Sequence, residues 1–365
     1  MPSMSLNNII DLRSDTVTVP TPAMREAMAS AEVGDDVFGE DPTVNRLQEM
    51  AAERLGFEAG LFVASGTQGN LIAVMTHCLP GDEAIVGDQT HFYLGEQGGM
   101  ASIAGVNPRP LPNQPDGTMR LEDIQAAIRA DDAHYPITRL IAIENTHNKI
   151  GGVAVTAEYT QALADFAHGR GLKLHVDGAR IFNAAAALDV PVSALTRPAD
   201  SATFCLSKAL SAPVGSVLCG SRDFIKAAHR RRKVLGGGMR QAGILAAAGI
   251  VALDEMPQRL KDDHANARLL ADGVSRIQGL TPVGSVPTNM VYFDIDPALP
   301  FDGQELCRRL ERLKIKALLT GPRRIRAVLH CWISREDVLE TLHALDAAVN
   351  AGDTMAPSDT KVGSY

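Results

Sequence analysis

The chain has no cysteine pair at C-x-x-C spacing, no internal repeat and no excess of basic charge. It also lacks any apolar stretch near the roughly 18 residues needed to span a bilayer. Each absence narrows the field. Cys78, Cys205, Cys219, Cys307 and Cys331 form an odd, dispersed set. Buried thiols in a reducing cytosol fit such a set better than disulfides or zinc. A net charge of -8 argues against nucleic acid or an anionic membrane as a charge-driven partner. The start, M-P-S-M-S-L-N-N, has neither a basic n-region nor an apolar h-region. No secretory leader is expected there, and a cytoplasmic location is. Without H-x-H, H-E-x-x-H or clustered acids, a catalytic metal is not expected.

What is present is a long, well-mixed chain. Its 365 residues, 45% hydrophobic and 21% charged, suffice for one large domain and a smaller companion. Residues 1–20 read as a polar arm, 21–255 as the large domain, 256–348 as a small α+β domain, and 349–365 as a disordered tail. Within the large domain, E-A-G-L-F-V-A, E-A-I-V-G, R-L-I-A-I-E, L-K-L-H-V-D, S-A-T-F-C-L and G-S-V-L-C-G read as strands. L-E-D-I-Q-A-A-I-R and T-Q-A-L-A-D-F-A-H read as helices between them. The alternation predicts an α/β fold with a mainly parallel sheet covered on both faces. G-S-V-L-C-G follows its predecessor too closely for a helical crossover and is a candidate antiparallel strand. A long helical pattern spans residues 241–278. N-M-V-Y-F-D and R-I-R-A-V-L-H read as strands of the small domain.

In such sheets ligands sit at the C-terminal strand ends. Asp177, in H-V-D-G-A-R, and Lys208, in L-S-K-A-L, both fall there. A lysine amine can form a Schiff base with the aldehyde of pyridoxal phosphate, while a carboxylate keeps its pyridine nitrogen protonated. Either residue alone would read as solvated surface. Ser65-Gly66-Thr67-Gln68-Gly69-Asn70 follows a strand and opens a helix, a place where free N–H groups can meet a phosphate. An ordinary strand-to-helix turn is the bland alternative. His91 and His147 follow two other strands, and both are candidates for the same cleft. Arg180 lies three residues beyond Asp177, with a surface ion pair as its ordinary role. Arg326 sits on an apolar strand, where a guanidinium needs an anionic partner such as a substrate carboxylate. Lys233 and Arg240 flank a Gly-Gly-Gly turn, whereas Arg230 to Arg232 read as a solvated helix face.

Taken in order, I-D-L-R-S-D-T-V-T, V-G-D-D-V-F-G-E-D-P-T-V, S-G-T-Q-G-N, E-N-T-H-N, H-V-D-G-A-R-I-F-N-A, L-S-K-A-L-S-A-P-V-G-S-V and G-G-G-M-R-Q-A-G-I-L resemble the low-specificity L-threonine aldolases. These enzymes belong to the pyridoxal-phosphate-dependent β-eliminating lyase group. The matching stretches run from residue 10 to about 250 and fade in the small domain. The resemblance implies an aminotransferase-like fold (fold type I) and retro-aldol cleavage of β-hydroxy-α-amino acids to glycine and an aldehyde. Another pyridoxal-phosphate lyase or racemase on this fold is the alternative. It implies that Lys208 carries the cofactor, that Asp177 pairs its ring nitrogen, and that Gly66 and Thr67 hold its phosphate. His91 would stack on the ring, and His147 would lie near the substrate hydroxyl. Ser14, Arg180 and Arg326 match the carboxylate-binding or ring-orienting set. Lys233 and Arg240 match basic residues near the phosphate, in a family whose sites lie between subunits; a homodimer at least is expected, or a homotetramer built as a dimer of dimers. Two departures stand out: Ala209 and Ser211 replace glycines common in the family, and Leu329-His330-Cys331-Trp332 replaces a small polar segment.

Overall fold

A computed structural model describes residues 9–351. The first eight residues, on which the leader reading rests, lie outside it, as does the tail from residue 352. Val349 and Asn350 still belong to a helix, Arg335–Asn350. The chain packs as two units: Val19–Gln258, and the described residues up to Thr18 together with those from Arg259 onward. Strand β1 (Ile10–Asp11) belongs to the second unit. The first holds β2 (Ala59–Val63), β3 (Glu83–Gly87), β4 (Asn107–Leu111), β5 (Thr138–Glu144), β6 (Lys173–Asp177), β7 (Ser201–Cys205) and β8 (Ser216–Gly220). The second adds β9 (Leu280–Pro282), β10 (Met290–Ile295), β11 (Ile315–Lys316), β12 (Leu318–Gly321) and β13 (Arg324–Val328).

In the larger unit the strand order is β2-β8-β7-β6-β5-β3-β4. Neighbours from β4 to β7 pair in parallel, which demands crossovers, and helices such as Ala157–His168 between β5 and β6 and Ile181–Leu188 between β6 and β7 supply them. Strands β3, β7 and β8 are buried along their whole length. Near-continuous apolar runs are what a sheet covered on both faces requires. Only residues 206–215 separate β7 from β8, too few for a helical crossover, and β8 is indeed antiparallel to both β7 and β2. Strand β4, N-P-R-P-L, carries two prolines, which hides it from a strand reading. Among the described residues it is an edge strand paired only with β3, so the missing N–H groups are tolerated.

The helical pattern read over 241–278 resolves into two helices, Gly243–Glu255 and Leu260–Val274, parted by a tight turn at Pro257–Arg259. Pro257 lacks the N–H that a continuous helix would use. In the smaller unit the sheet order is β12-β13-β10-β9, all antiparallel. The chain start is knitted into it: β1 pairs in parallel with β11, and Ile10 and Leu12 join its apolar core. Four cysteines are buried as free thiols, and Cys331 is partly buried. Among the described residues no helix is long and apolar enough to cross a membrane.

Candidate active site

Asp177 is the last residue of β6, and its register partners are Glu144 at the end of β5 and Thr203 in β7. The parallel sheet therefore delivers two carboxylates to one edge. Asp177 is only 3% exposed. Its Oδ1 accepts from the Ala179 N–H at 3.1 Å and its Oδ2 from the Asn70 side-chain amide at 2.9 Å. Both donors are neutral. A carboxylate buried among neutral donors gains most from a cation placed beside it, and a protonated ring nitrogen is such a cation.

Lys208 lies in the turn that leaves β7, where the Ser211 N–H donates to its carbonyl at 2.8 Å. Ser211 itself has φ +61°, in the left-handed region that glycine occupies without cost. The departure from the family's glycine thus falls on a backbone position that a side chain disfavours. Gly66 and Thr67 open the helix Gly66–His77, which Ser65 caps by accepting from the Gln68 N–H at 3.2 Å. First-turn N–H groups have no helical carbonyl to bond and face outward along the axis. A Cβ on Gly66 would stand 2.9 Å from Cys205 Sγ, and one on Gly69 2.7 Å from Thr203 Cγ2. Glycine therefore allows the helix start to press against β7, the strand that leads to Lys208. An exposed phosphate cradle beside the lysine turn fits the cofactor.

His91 begins the short helix His91–Leu94 after β3, and its backbone N–H donates to Glu144 Oε2 at 2.6 Å. The other oxygen of Glu144 takes the Asn148 N–H at 2.8 Å. One carboxylate thus clamps the loops that carry His91 and His147. The His91 ring is 40% exposed, with Nδ1 3.1 Å from Glu96 Oε1. That hydrogen bond raises the His91 pKa above its ordinary value, against the opposing effect of burial. Burial in turn raises the pKa of Glu96. His147 follows β5 and is bridged to Val153. It is fully buried, and among the described residues neither ring nitrogen has a hydrogen-bond partner. Burial lowers its pKa below 6.5, so the ring is neutral near pH 7. A buried imidazole with two unused nitrogens is costly unless a ligand completes it.

Arg180 heads the helix Ile181–Leu188 and is buried. Lys233 sits exposed in the last turn of the helix Arg222–Val234. Arg240 is half-exposed and pairs with Asp35 of its own chain at 2.8 Å. Arg232 is a correction: it is no solvated charge but 1% exposed, paired with Asp36 at 2.8 Å and donating to the Phe62 carbonyl. The buried residues of its helix are Ile225, Ala228 and Arg232, at helical spacing, so the run R-R-R-K conceals an inward face. Ser14 and Arg326 belong to the smaller unit. Ser14 caps a short turn by accepting from the Thr16 N–H, and Arg326 donates to the carbonyl of Arg13 at 3.0 Å. Those two expected residues are therefore near neighbours.

Asn70, Glu96 and His175 were not singled out by the sequence reading. Asn70 Nδ2 donates to both Glu96 Oε1 and Asp177 Oδ2 at 2.9 Å. His175 precedes Asp177 by two residues, and strand periodicity puts both on one face of β6. His91, Glu96 and Asp177 bring possible metal-ligand atoms within 4.8 Å of one another. The hydrogen bonds from Asn70 and His91 already engage those carboxylate oxygens.

Burial lowers the pKa of His77 to about 3 and those of His175 and His264 to about 4. An unfolded histidine titrates near 6.5, so between there and pH 4 the unfolded chain binds protons that the fold refuses. Stability should therefore be present above pH 6.5 and fall as the pH drops below it. Each histidine costs about 1.4 kcal/mol per pH unit, or about 4 kcal/mol for all three between pH 7.5 and 5.5. Urea unfolding at the two values would measure this, and equal stabilities would refute it.

The family model described as beta-eliminating lyase matches residues 11–296. Low-specificity L-threonine aldolase 1 of Arabidopsis thaliana is 50% identical over 344 residues, covering 93% of this chain and 96% of that protein. The low specificity L-threonine aldolase of Escherichia coli K12 is 46% identical over 334 residues, covering 91% and 97%. A solved Leishmania major threonine aldolase aligns with a TM-score of 0.79 at 21% identity, over 93% of this chain and 99% of that one.

Proposed function

Because the chain belongs to the beta-eliminating lyase family of pyridoxal-phosphate enzymes, we propose that it is a lyase acting on β-hydroxy-α-amino acids. It cleaves L-threonine, L-allo-threonine and related substrates reversibly to glycine and an aldehyde. The observation that carries this reading is the strand-end edge itself. A buried carboxylate that accepts from two neutral donors shares it with a neutral imidazole whose ring nitrogens have no hydrogen-bond partner among the described residues.

When bound, the cofactor supplies an electron sink for the Cα–Cβ bond that breaks. Lys208 is the amine that would hold its aldehyde and yield that place to the substrate amine. Asp177 would keep a proton at the ring nitrogen, and the N–H groups of Gly66 and Thr67 would receive the phosphate, with Lys233 and Arg240 as its basic neighbours. His91 would stack on the ring and Arg180 would orient it. His147 accepts the β-hydroxyl proton, since burial keeps its imidazole neutral and able to accept. For Ser14 and Arg326, the resemblance supplies the role of holding the substrate carboxylate. The same reading makes the protein a cytoplasmic homotetramer with sites between subunits. The placing of sites between subunits is supported by the exposed Phe38 and Val234 in segments adjoining Asp35 and Lys233.

The deciding assay is steady-state turnover of threonine and allo-threonine with glycine and aldehyde measured directly. Ammonia with a keto acid, or the D-enantiomer, would replace this activity with another. His147→Asn should depress cleavage by roughly a hundredfold or more, the scale of a lost general base. Exchange of the glycine Cα–H, which needs no base at a β-hydroxyl, should suffer less; equal losses would make His147 a positioning group. Arg326→Ala should raise KM for threonine about tenfold to a hundredfold, as loss of a charge-assisted contact implies. An unchanged KM would put the carboxylate contact elsewhere.

A further inference from the structure

Beneath Asp177 runs a buried chain of side chains that the proposed chemistry does not use. Asn70 Oδ1 lies 3.1 Å from His175 Nε2; His175 Nδ1 lies 2.9 Å from Ser201 Oγ; Ser201 Oγ lies 2.7 Å from His77 Nε2. His77 ends the chain stacked on Phe224, ring centroids 4.5 Å apart. Asn70, His175 and Ser201 are essentially inaccessible.

The hydrogens in this chain can be assigned by elimination. Ionised carboxylates only accept, so the Asn70 amide must turn its two N–H groups toward Asp177 and Glu96. Its carbonyl is then left facing His175, which must donate from Nε2. A neutral ring protonated at Nε2 accepts at Nδ1, so the Ser201 hydroxyl donates there and accepts in turn from His77 Nε2–H. Every hydrogen bond then points the same way, toward the carboxylates. The Ser201 carbonyl acts in the opposite sense, favouring a ring proton on its own side. It is outweighed because reversing the chain would aim the Asn70 carbonyl at two carboxylates.

We propose that His175 is a positioning residue for Asp177: neutral and protonated on Nε2, it locks the Asn70 amide and thereby orients the Asp177 carboxylate. The inference rests on the proposed cofactor reading for its consequence, since an oriented Asp177 is what holds a proton on the ring nitrogen. Its structural half stands without the cofactor. The depressed proton affinities of His175 and His77 agree with two neutral rings. The titratable and charged groups around the chain are Asp177, Glu96, His91, His147 and Lys208 at one end, and Asp200 and Lys173 beside His77 at the other.

Two measurements on the full-length protein test this. Long-range proton–nitrogen NMR of 15N-histidine protein, with and without pyridoxal phosphate, should show His175 neutral and protonated at Nε2 from pH 8 to 5.5. His175→Gln identifies the signal. A charged ring, or a proton on Nδ1, overturns the proposal even if no cofactor binds. The second measurement follows the ring nitrogen of 15N-labelled pyridoxal phosphate through a pH titration. In His175→Leu the pH at which that nitrogen loses its proton should fall by about one to two units, the scale of a lost hydrogen bond supporting a charge. His175→Gln, whose amide can donate to Asn70, should restore it, and Ser201→Ala should shift it less in the same direction. An unchanged midpoint in folded His175→Leu, or in Ser201→Ala should the first not fold, overturns the proposal. Failure of the wild type to bind the cofactor would instead sink the functional reading and leave the histidine spectrum to decide this one.

Discussion

Lys208→Ala is expected to abolish the visible absorbance of lysine-bound pyridoxal phosphate and to reduce turnover to background. Lys208 lies in the turn beyond β7, on the edge that also receives Asp177 from β6, and electrostatic coupling links it to His91. The other lysines of the larger unit are Lys149, Lys173, Lys226 and Lys233. Lys173 sits at the opposite end of β6, where it pairs with Asp200. Lys226 and Lys233 lie on the helix Arg222–Val234. Lys149, in the loop after β5, is the nearest alternative by topology, so Lys149→Ala is the matched control and should keep the band. Without its amine the protein should still bind the cofactor through the phosphate cradle, more weakly and without the shifted spectrum. Absorbance after gel filtration, together with a glycine-release assay, checks both halves. A Lys208→Ala protein that keeps the band and turns over threonine at the wild-type rate would refute the assignment.

How far this edge could be read from the sequence depended on where its parts lie along the chain. E-A-I-V-G coincides with β3, and L-K-L-H-V-D matches β6 to within one residue, because apolar runs closed by glycine or acid mark buried parallel strands. Asp177 and Lys208 stood out because each directly follows such a run. Strand β4 did not, since its prolines are acceptable only at a sheet edge, and the edge is a tertiary fact. Two-residue strands such as β1 and β11 carry no periodicity at all. Glu96 and Asn70 escaped for another reason. They reach Asp177 only because the order β6-β5-β3 gathers loops and helices that are far apart in sequence. His175 was legible in principle, two residues before Asp177 on the same face, but a histidine inside an apolar strand reads first as a satisfied core residue. Arg232 was concealed by its neighbours: a run of four basic residues looks solvated until helical spacing singles out the one that turns inward.

Asp177→Asn should bind pyridoxal phosphate through Lys208 and yet lose kcat by roughly 10²–10³-fold or more, the scale on which a preorganised electrostatic group contributes. The substitution changes one oxygen to an amide nitrogen, so volume and packing are nearly preserved while the negative charge disappears. A neutral partner does not hold a proton on the ring nitrogen, and an uncharged ring draws electrons poorly from the bond to be broken. The local hydrogen bonds sharpen the expectation. Oδ1 of residue 177 accepts from the Ala179 N–H and Oδ2 accepts from Asn70. An amide can satisfy only one of these with its oxygen, so its N–H₂ must confront the other donor. If Ala179 keeps the oxygen, the clash falls on Asn70, and the disturbance passes to His175. Asp177→Asn should therefore also alter the His175 ring nitrogen signals, which a change confined to the cofactor would leave alone. Steady-state kinetics with saturating cofactor, read beside those spectra, tests both. A kcat within severalfold of wild type would remove Asp177 from the electron-sink role, whatever the histidine does.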